Sequence, residues 1–246
     1  MTAVLLGVLF DGLAYGMLLF LISIGLSVTM GLMGFVNLAH GAFAMFGGYL
    51  ATMLMQRAGW PFLATLPAAF VLVALASVVV ERLLYRRLYR RGPLDQVLFT
   101  IGLTYMAVAA VTWYFGPSQQ PVALPAFLQG QARVLGLDLG IYRMFLIAFG
   151  VATTALVVLG IERTRFGARI RAAVDNPVMA TGIGISVGGV FAVTFALGSG
   201  LAGVGGALGI QILGLDPSFP LKYLVFFLIV VSVGGLGSVS GTLLAA

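Results

Sequence analysis

The stretch GLMGFVNLAHGAFAMFGGY, residues 31–49, places Asn37 and His40 inside a long run of residues that is otherwise almost wholly apolar, and His40 is the only histidine of the chain. A polar side chain at hydrocarbon depth is costly unless it meets a partner or water, so it is read by default as a functional feature. Gly31, Gly34 and Gly41 crowd the same stretch. Glycine-rich backbone at that depth is tolerated only where protein buries it or where it lines a water-filled cavity. Two readings follow, a break that lines a pore and a kink that is merely structural.

The surroundings fix the class of protein. Of 246 residues, 61% are hydrophobic and 8% charged, against about 45–50% and about 25% in soluble domains. At about 20 residues per helical span there is room for roughly seven or eight spans. The expected fold is therefore an all-α, polytopic transmembrane bundle, a single domain over 1–246, with Gly-rich breaks. The formal charge of +6 arises from 13 basic and 7 acidic residues, and the basic ones concentrate in two clusters. That pattern reads as membrane orientation and gives no reason to invoke nucleic acid. With no cysteine, disulfides and thiolate metal sites are excluded, and a single histidine argues against a His-based metal centre. The start MTAVLLGVLF lacks a basic n-region and a small-residue cleavage site, so it reads as the first span rather than a signal.

Working outward, residues 3–30 form span one, with Asp11 near its end as an interfacial carboxylate and Ser27 and Gly31 at small-xxx-small spacing. Spans two and three cover 41–56 and 62–80. A basic collar follows, Arg82, Arg86, Arg87, Arg90 and Arg91, with Tyr85 and Tyr89 between them. Span four covers 94–115, residues 116–140 form a loop, and span five, 141–160, returns to a second cluster, Arg163, Arg165, Arg169 and Arg171. Both clusters then share the cytoplasmic side, and the amino terminus lies outside. Span six, 188–213, is rich in overlapping small-xxx-small pairs and is expected at the centre. A loop at 216–220 leads to span seven, which runs into GGLGSVSG, residues 234–241. Gly234, Gly235 and Gly237 thus make a second break, and paired interruptions of this kind point to a transport path near the midplane.

Residues 162–186, ERTRFGARIRAAVDNPVMATGIGIS, are too polar to enter the membrane. Phe166, Ile170, Ala173 and Val174 give an apolar face beside an Arg-rich one, the pattern of an interfacial helix. After Asp175, Asn176 reads as an N-cap, Pro177 as the first helical residue and Gly182 as the stop. Val178 and Met179 would then project from a short exposed helix suited to a partner's groove. A membrane-surface helix without a partner is the other reading.

Four stretches, GLSVTMGLMGFVNLAHGAFAMFGGYLA (25–51), RTRFGARIRAAVDNPVMATGIGI (163–185) and the Gly-rich spans at 190–209 and 230–241, resemble the permease subunits of branched-chain amino acid ABC importers. Family members often carry a carboxylate just after the His-Gly pair, where this chain has Ala42, and usually continue through a further apolar helix beyond the second break. The final span is accordingly expected to be truncated.

The resemblance implies a multi-pass subunit of the bacterial inner membrane that is not itself an enzyme and has no cofactor. It implies as partners a second homologous permease, two cytoplasmic ABC ATPases and a periplasmic or lipid-anchored binding protein. In that setting 162–186 becomes the coupling loop, and Asp175, Asn176, Pro177, Val178, Met179 and Gly182 its contact with the ATPases. Gly31, Gly34, Asn37, His40, Gly41, Gly234, Gly235 and Gly237 border the path as hinges, the glycines supplying backbone freedom. Asn37 and His40 are expected chiefly to cap broken helix ends, with substrate contact as the second reading. An ion-coupled secondary transporter or a passive channel for a small polar solute remains the alternative function.

Overall fold

The helix that carries GSGLAGVGGALG at residues 198–209 is the axis on which the others pack. The computed structural model describes residues 2–89, 91–122, 124–134 and 137–246. In order along the chain, α1 (Thr2–Met33), α2 (His40–Ala58) and α3 (Phe62–Val80) are followed by a π-helical turn, Glu81–Tyr85, and by α4 (Arg86–Leu88). Then come α5 (Pro93–Phe115), a 3-10 turn at Ala126–Leu128, and strands β1 (Gln131–Val134) and β2 (Leu137–Gly140). The remainder is α6 (Ile141–Glu162), α7 (Arg165–Asp175), α8 (Pro177–Gly182), α9 (Val187–Leu213), α10 (Phe219–Gly234) and α11 (Val239–Ala245).

Among the described residues, five stretches are long and apolar enough to cross a membrane: Val4–Gly31, Phe62–Leu88, Pro93–Phe115, Ile141–Ile161 and Val187–Leu213. With the apolar helices α2 and α10 they make the polytopic all-α bundle that composition requires. The third span does not stop at Val80. It runs on through the π-helical turn to Leu88, so Tyr85 is fully buried rather than part of a surface collar. Arg90, counted in that collar, lies outside the described residues. The 116–140 loop also holds more order than its composition showed, because Gln131–Val134 pairs antiparallel with Leu137–Gly140.

Side-chain contacts orient the bundle. Asp11 pairs with Arg143 at 2.8 Å, Arg57 donates to the Tyr114 hydroxyl at 2.8 Å, and Gln56 donates to the Pro121 carbonyl, all at the end bearing the hairpin. At the other, basic end, Tyr89 meets Phe191 edge-on with ring centroids 6.0 Å apart, joining the first Arg cluster to the start of α9. The two clusters therefore share one end. Residues 34–58 complete one crossing between α1 and α3, so the parity of spans is that inferred from the sequence.

Around α9 the absence of side chains sets the packing distance. A Cβ at Gly203 would press on Val73 of α3, one at Gly205 on Ile22 of α1, and one at Gly206 would overlap the backbone of Ala44 in α2. Three helices thus approach one axis more closely than any side chain on α9 would allow, the arrangement that small residues permit where no hydrophobic force drives association. Gly206→Leu is expected to remove the folded protein from detergent extracts, a loss beyond about 4 kcal/mol. Gly102→Ala, on α5 where a Cβ meets open space, should leave the thermal midpoint within about 2 °C. Comparable stability of the two variants would refute α9 as the packing axis.

Candidate functional site

The first break begins at Gly34, whose φ of +61° ends α1 in a conformation that side chains resist. Residues 34–37 are not helical, and α2 starts at His40. His40 Nε2 donates to the Ile22 carbonyl at 2.8 Å. Ile22 lies eleven residues from Asp11 and eleven from Met33, about 16 Å from each, so α2 starts near mid-depth. The chain therefore re-enters the bundle from the basic end as non-helical backbone, turning at Leu38 and Ala39 into α2.

Such backbone needs partners, and α5 supplies them. Gln96 Oε1 accepts the Val36 N–H at 3.0 Å, Thr100 Oγ1 accepts the Leu38 N–H at 3.2 Å, and the Thr104 hydroxyl lies 3.4 Å from the Leu38 carbonyl. These three residues recur every four positions and form one polar stripe on an otherwise apolar helix. The Gln96 amide nitrogen donates back to the Leu88 and Arg91 carbonyls, at 3.3 and 3.2 Å, tying the break to the end of α4. Leu38 is thus held beside Thr100 and Thr104 while Arg57 meets Tyr114, positions about 15–21 Å apart along α5. α2 itself is about 28 Å long, so it slants across the bundle.

Asn37 is fully buried, and its Oδ1 accepts both the Ala39 N–H and the Tyr85 hydroxyl, each at 3.1 Å. The π-helical turn carries Tyr85, whose ring also packs on Phe35 and Phe195, with centroids 4.8 and 5.3 Å away. Glu81, in the same turn, is buried and accepts a hydrogen bond from the Tyr89 hydroxyl at 3.0 Å. Burial, and then the adjacent Glu81 carboxylate, push the Tyr89 phenol well above its ordinary range, so it stays protonated and donates.

At the second break Gly235 and Gly237 have φ of +86° and +79°. The Gly237 N–H reaches the Ser27 carbonyl at 3.0 Å and the Ser27 hydroxyl at 3.2 Å. The Thr242 hydroxyl bridges Ser27 Oγ, 2.9 Å away, and the Ser238 carbonyl, 2.7 Å away. A Cβ at Gly31 would overlap Gly237, and one at Gly234 would lie 2.6 Å from the Thr242 backbone. Both breaks thus abut α1, one pinned by His40 at Ile22 and the other by Ser27.

Positions assigned from the sequence need several corrections. Gly34, Gly235 and Gly237 occupy conformations that favour glycine, but Gly31, Gly41 and Gly234 are helical and serve close approach; a Cβ at Gly41 would sit 3.0 Å from Pro220. Asn37 does satisfy a freed N–H of the break. His40 does not cap a broken end, because its partner carbonyl belongs to the continuous helix α1. Sequence reading missed Gln96, Thr100, Thr104, Tyr85 and Ser27 as supports. The i, i+4, i+8 spacing of the first three was the available signal. The Asn37 Nδ2 and His40 Nδ1 atoms, with the hydroxyls of Ser23, Tyr49 and Ser199, are buried without a hydrogen-bond partner among the described residues. With Nε2 donating, Nδ1 is an acceptor and the Asn37 amide a donor, so the interior offers both kinds of polar contact.

The basic-end loop folds largely as its punctuation requires. Thr164 caps α7 and Asn176 caps α8, its Oδ1 accepting the Met179 N–H at 3.0 Å. Helix α8 includes Gly182, and the left-handed residue that follows is Gly184, φ +86°. Val178 and Met179 are 81% and 67% exposed. The apolar face of α7 does not lie on a membrane surface, because Ile170 and Ala173 pack on Val190 of α9.

Compared with known proteins, residues 8–246 match the family model described as branched-chain amino acid transport system / permease component. The chain is 28% identical over 254 residues to the high-affinity branched-chain amino acid transport system permease protein BraD of Pseudomonas aeruginosa, covering 96% of this chain and 81% of the relative. It is 28% identical over 251 residues to the corresponding LivH protein of Escherichia coli K12, at 96% and 80% coverage. A probable branched-chain amino acid transport permease protein LivH of Methanocaldococcus jannaschii is 26% identical over 245 residues, at 96% and 76%. No solved structure gave a significant match.

Loss of a partner for a buried donor costs about 1–3 kcal/mol. Gln96→Leu should therefore lower stability by that amount, read from thermal unfolding in detergent. His40→Gln, which keeps a donor, should retain most of the stability that His40→Leu loses. Equal loss in the two His40 variants would show that the ring itself, rather than its bond to Ile22, is required.

Proposed function

From the premise that this chain belongs to the branched-chain amino acid transport system / permease component family, we propose that it is the membrane subunit of an importer for branched-chain or related amino acids. ATP hydrolysis on two separate cytoplasmic ATPases drives it. A second homologous permease completes the path, and a periplasmic or lipid-anchored binding protein delivers the substrate. The setting is a bacterial inner membrane with the basic end in the cytoplasm, in accord with the positive-inside bias.

The observation that carries this reading is the pairing of two helix breaks, both abutting α1, with an exposed helix at the basic end. Helix α8 presents Val178 and Met179 outward while Ala180 is buried. Next to it, α7 rests through Ile170 and Ala173 on α9, and α9 meets α1 and α2 at backbone contact. A displacement of α8 by closing ATPases has a packed route through α9 and α2 to the Asn37 break. The second break is reached through α1, since Gly31 and Ser27, rather than residues of α9, hold Gly237. ATP is useful in this scheme because the ATPase states differ in affinity for inward and outward arrangements. Asn37 and His40 border the path, where donor and acceptor atoms suit a zwitterionic solute.

One observation favours a second reading. Glu81 is a buried carboxylate within a span, and intramembrane carboxylates mark ion-coupled transport. Uptake that stops when a protonophore is added with ATP maintained would support coupling through it. Under the ATPase reading, uptake continues.

Val178→Asp with Met179→Asp, both exposed, should leave the subunit folded and reduce its co-purification with the ATPases by about tenfold or more. Deleting 176–182 should abolish co-purification. Intact ATPase recovery with either variant would refute the docking assignment.

A further inference from the structure

Helices α6 and α9 both pack on α1, and between them runs a crevice of about 150 Å³. Gly25 and Val28 of α1 line it, and Phe166 and Ile170 of α7 line its part nearest the basic end. Leu156 and Leu197 on its walls are 72% and 42% exposed, so it opens toward the bilayer rather than toward water. The hydroxyl lining it, Thr194, is already bonded to the Val190 carbonyl at 2.8 Å. Gly25 lies eight residues before the end of α1, about 12 Å in from the basic end.

Arg165 and Arg169 of α7, with Arg163 just before it, are all exposed. Among the described residues none forms an ion pair with a carboxylate, whereas Arg171 is occupied with the Ile161 carbonyl at 2.8 Å. Arg169 and Ser186 line an adjoining depression that shares Phe166 with the region of the crevice. An apolar slot in one leaflet with cations at its interfacial end matches the two halves of an anionic phospholipid. Basic sites between membrane helices on the cytoplasmic side bind such headgroups.

We propose that this crevice is a site for an anionic glycerophospholipid, part of one acyl chain lying between α6 and α9 and the phosphate facing Arg163, Arg165 and Arg169. The volume excludes a whole protein helix and admits only a few methylenes of an acyl chain, the rest of which lies along the bilayer face. A cavity of this size holds a benzene-sized molecule, whereas a helix with its side chains is about 10–12 Å across. Because α7 lines both the slot and the cationic region, the lipid touches the same helix that joins α8 to α9. Occupancy therefore bears on the element that carries motion from the basic end, not on the breaks themselves.

The test is native mass spectrometry of the delipidated full chain titrated with phosphatidylglycerol or with phosphatidylcholine of identical acyl chains. Phosphatidylglycerol should bind with about tenfold preference or more. Gly160→Leu fills the crevice from a position where a Cβ meets nothing within 4 Å, and should lower phosphatidylglycerol binding about fivefold or more. Replacing Arg163, Arg165 and Arg169 together by Gln should erase the headgroup preference while leaving chain binding. Equal binding of the two lipids by the wild type, or unchanged phosphatidylglycerol binding in Gly160→Leu, would overturn the proposal. So would cross-linking of a Gly160→Cys thiol, unique in a chain without cysteine, to a second protein chain.

Discussion

Between Gly34 and Ala39 the chain has no helix to satisfy its N–H and C=O groups, and at that depth a membrane supplies no water to replace them. The Gln96 carbonyl oxygen on Val36 and the Thr100 hydroxyl on Leu38 are therefore the contacts on which the rest of the site depends. Without them the non-helical segment has no stable place inside the bundle, and α2 has no fixed point from which to start. Asn37 adds a local closure by taking the Ala39 N–H and the Tyr85 hydroxyl. Tyr85 in turn is buried by the π-helical turn that widens the end of the third span.

The second constraint is steric. α9 lets α1, α2 and α3 approach to backbone contact because Gly198, Gly206 and Gly200 carry no side chains that would meet Gly25, Ala44 and the Phe70 carbonyl. α1 meets both breaks, at Ile22 through His40 and at Ser27 through Gly237. Two interruptions, far apart in sequence, are thereby registered against one continuous helix. A rotation or shift of α1 relative to α9 would be felt at both, which gives the alternation of access a physical basis.

Much of this was legible in the sequence, for identifiable reasons. Composition gives the class because water and hydrocarbon discriminate strongly among side chains, and the two basic clusters do share one end of the bundle. The cap at Asn176 acts within three residues, so Asn-Pro at 176–177 announces its helix locally. What stayed hidden depends on partners distant in the chain. Gln96 and Thr100 are meaningful only beside Val36 and Leu38, about sixty residues earlier, and an isolated pass along α5 sees two polar residues in an ordinary span. Tyr85 looked like an interfacial aromatic because arginines surround it, whereas the π-helical turn faces it inward. The roles of Gly31 and Gly41 were misread for the same reason: close approach to Gly237 and Pro220 is a tertiary fact, while positive φ at Gly34 is a local one.

Amide hydrogen exchange over residues 34–40 of the intact protein in lipid nanodiscs tests the central claim most directly. If Gln96 and Thr100 hold the re-entrant backbone, the Val36 and Leu38 amides exchange as slowly as those of the neighbouring helices, and Thr100→Val speeds Leu38 while leaving α9 unchanged. Exchange of both amides in the wild type at the rate of an unstructured chain, with α9 fully protected, would contradict the account.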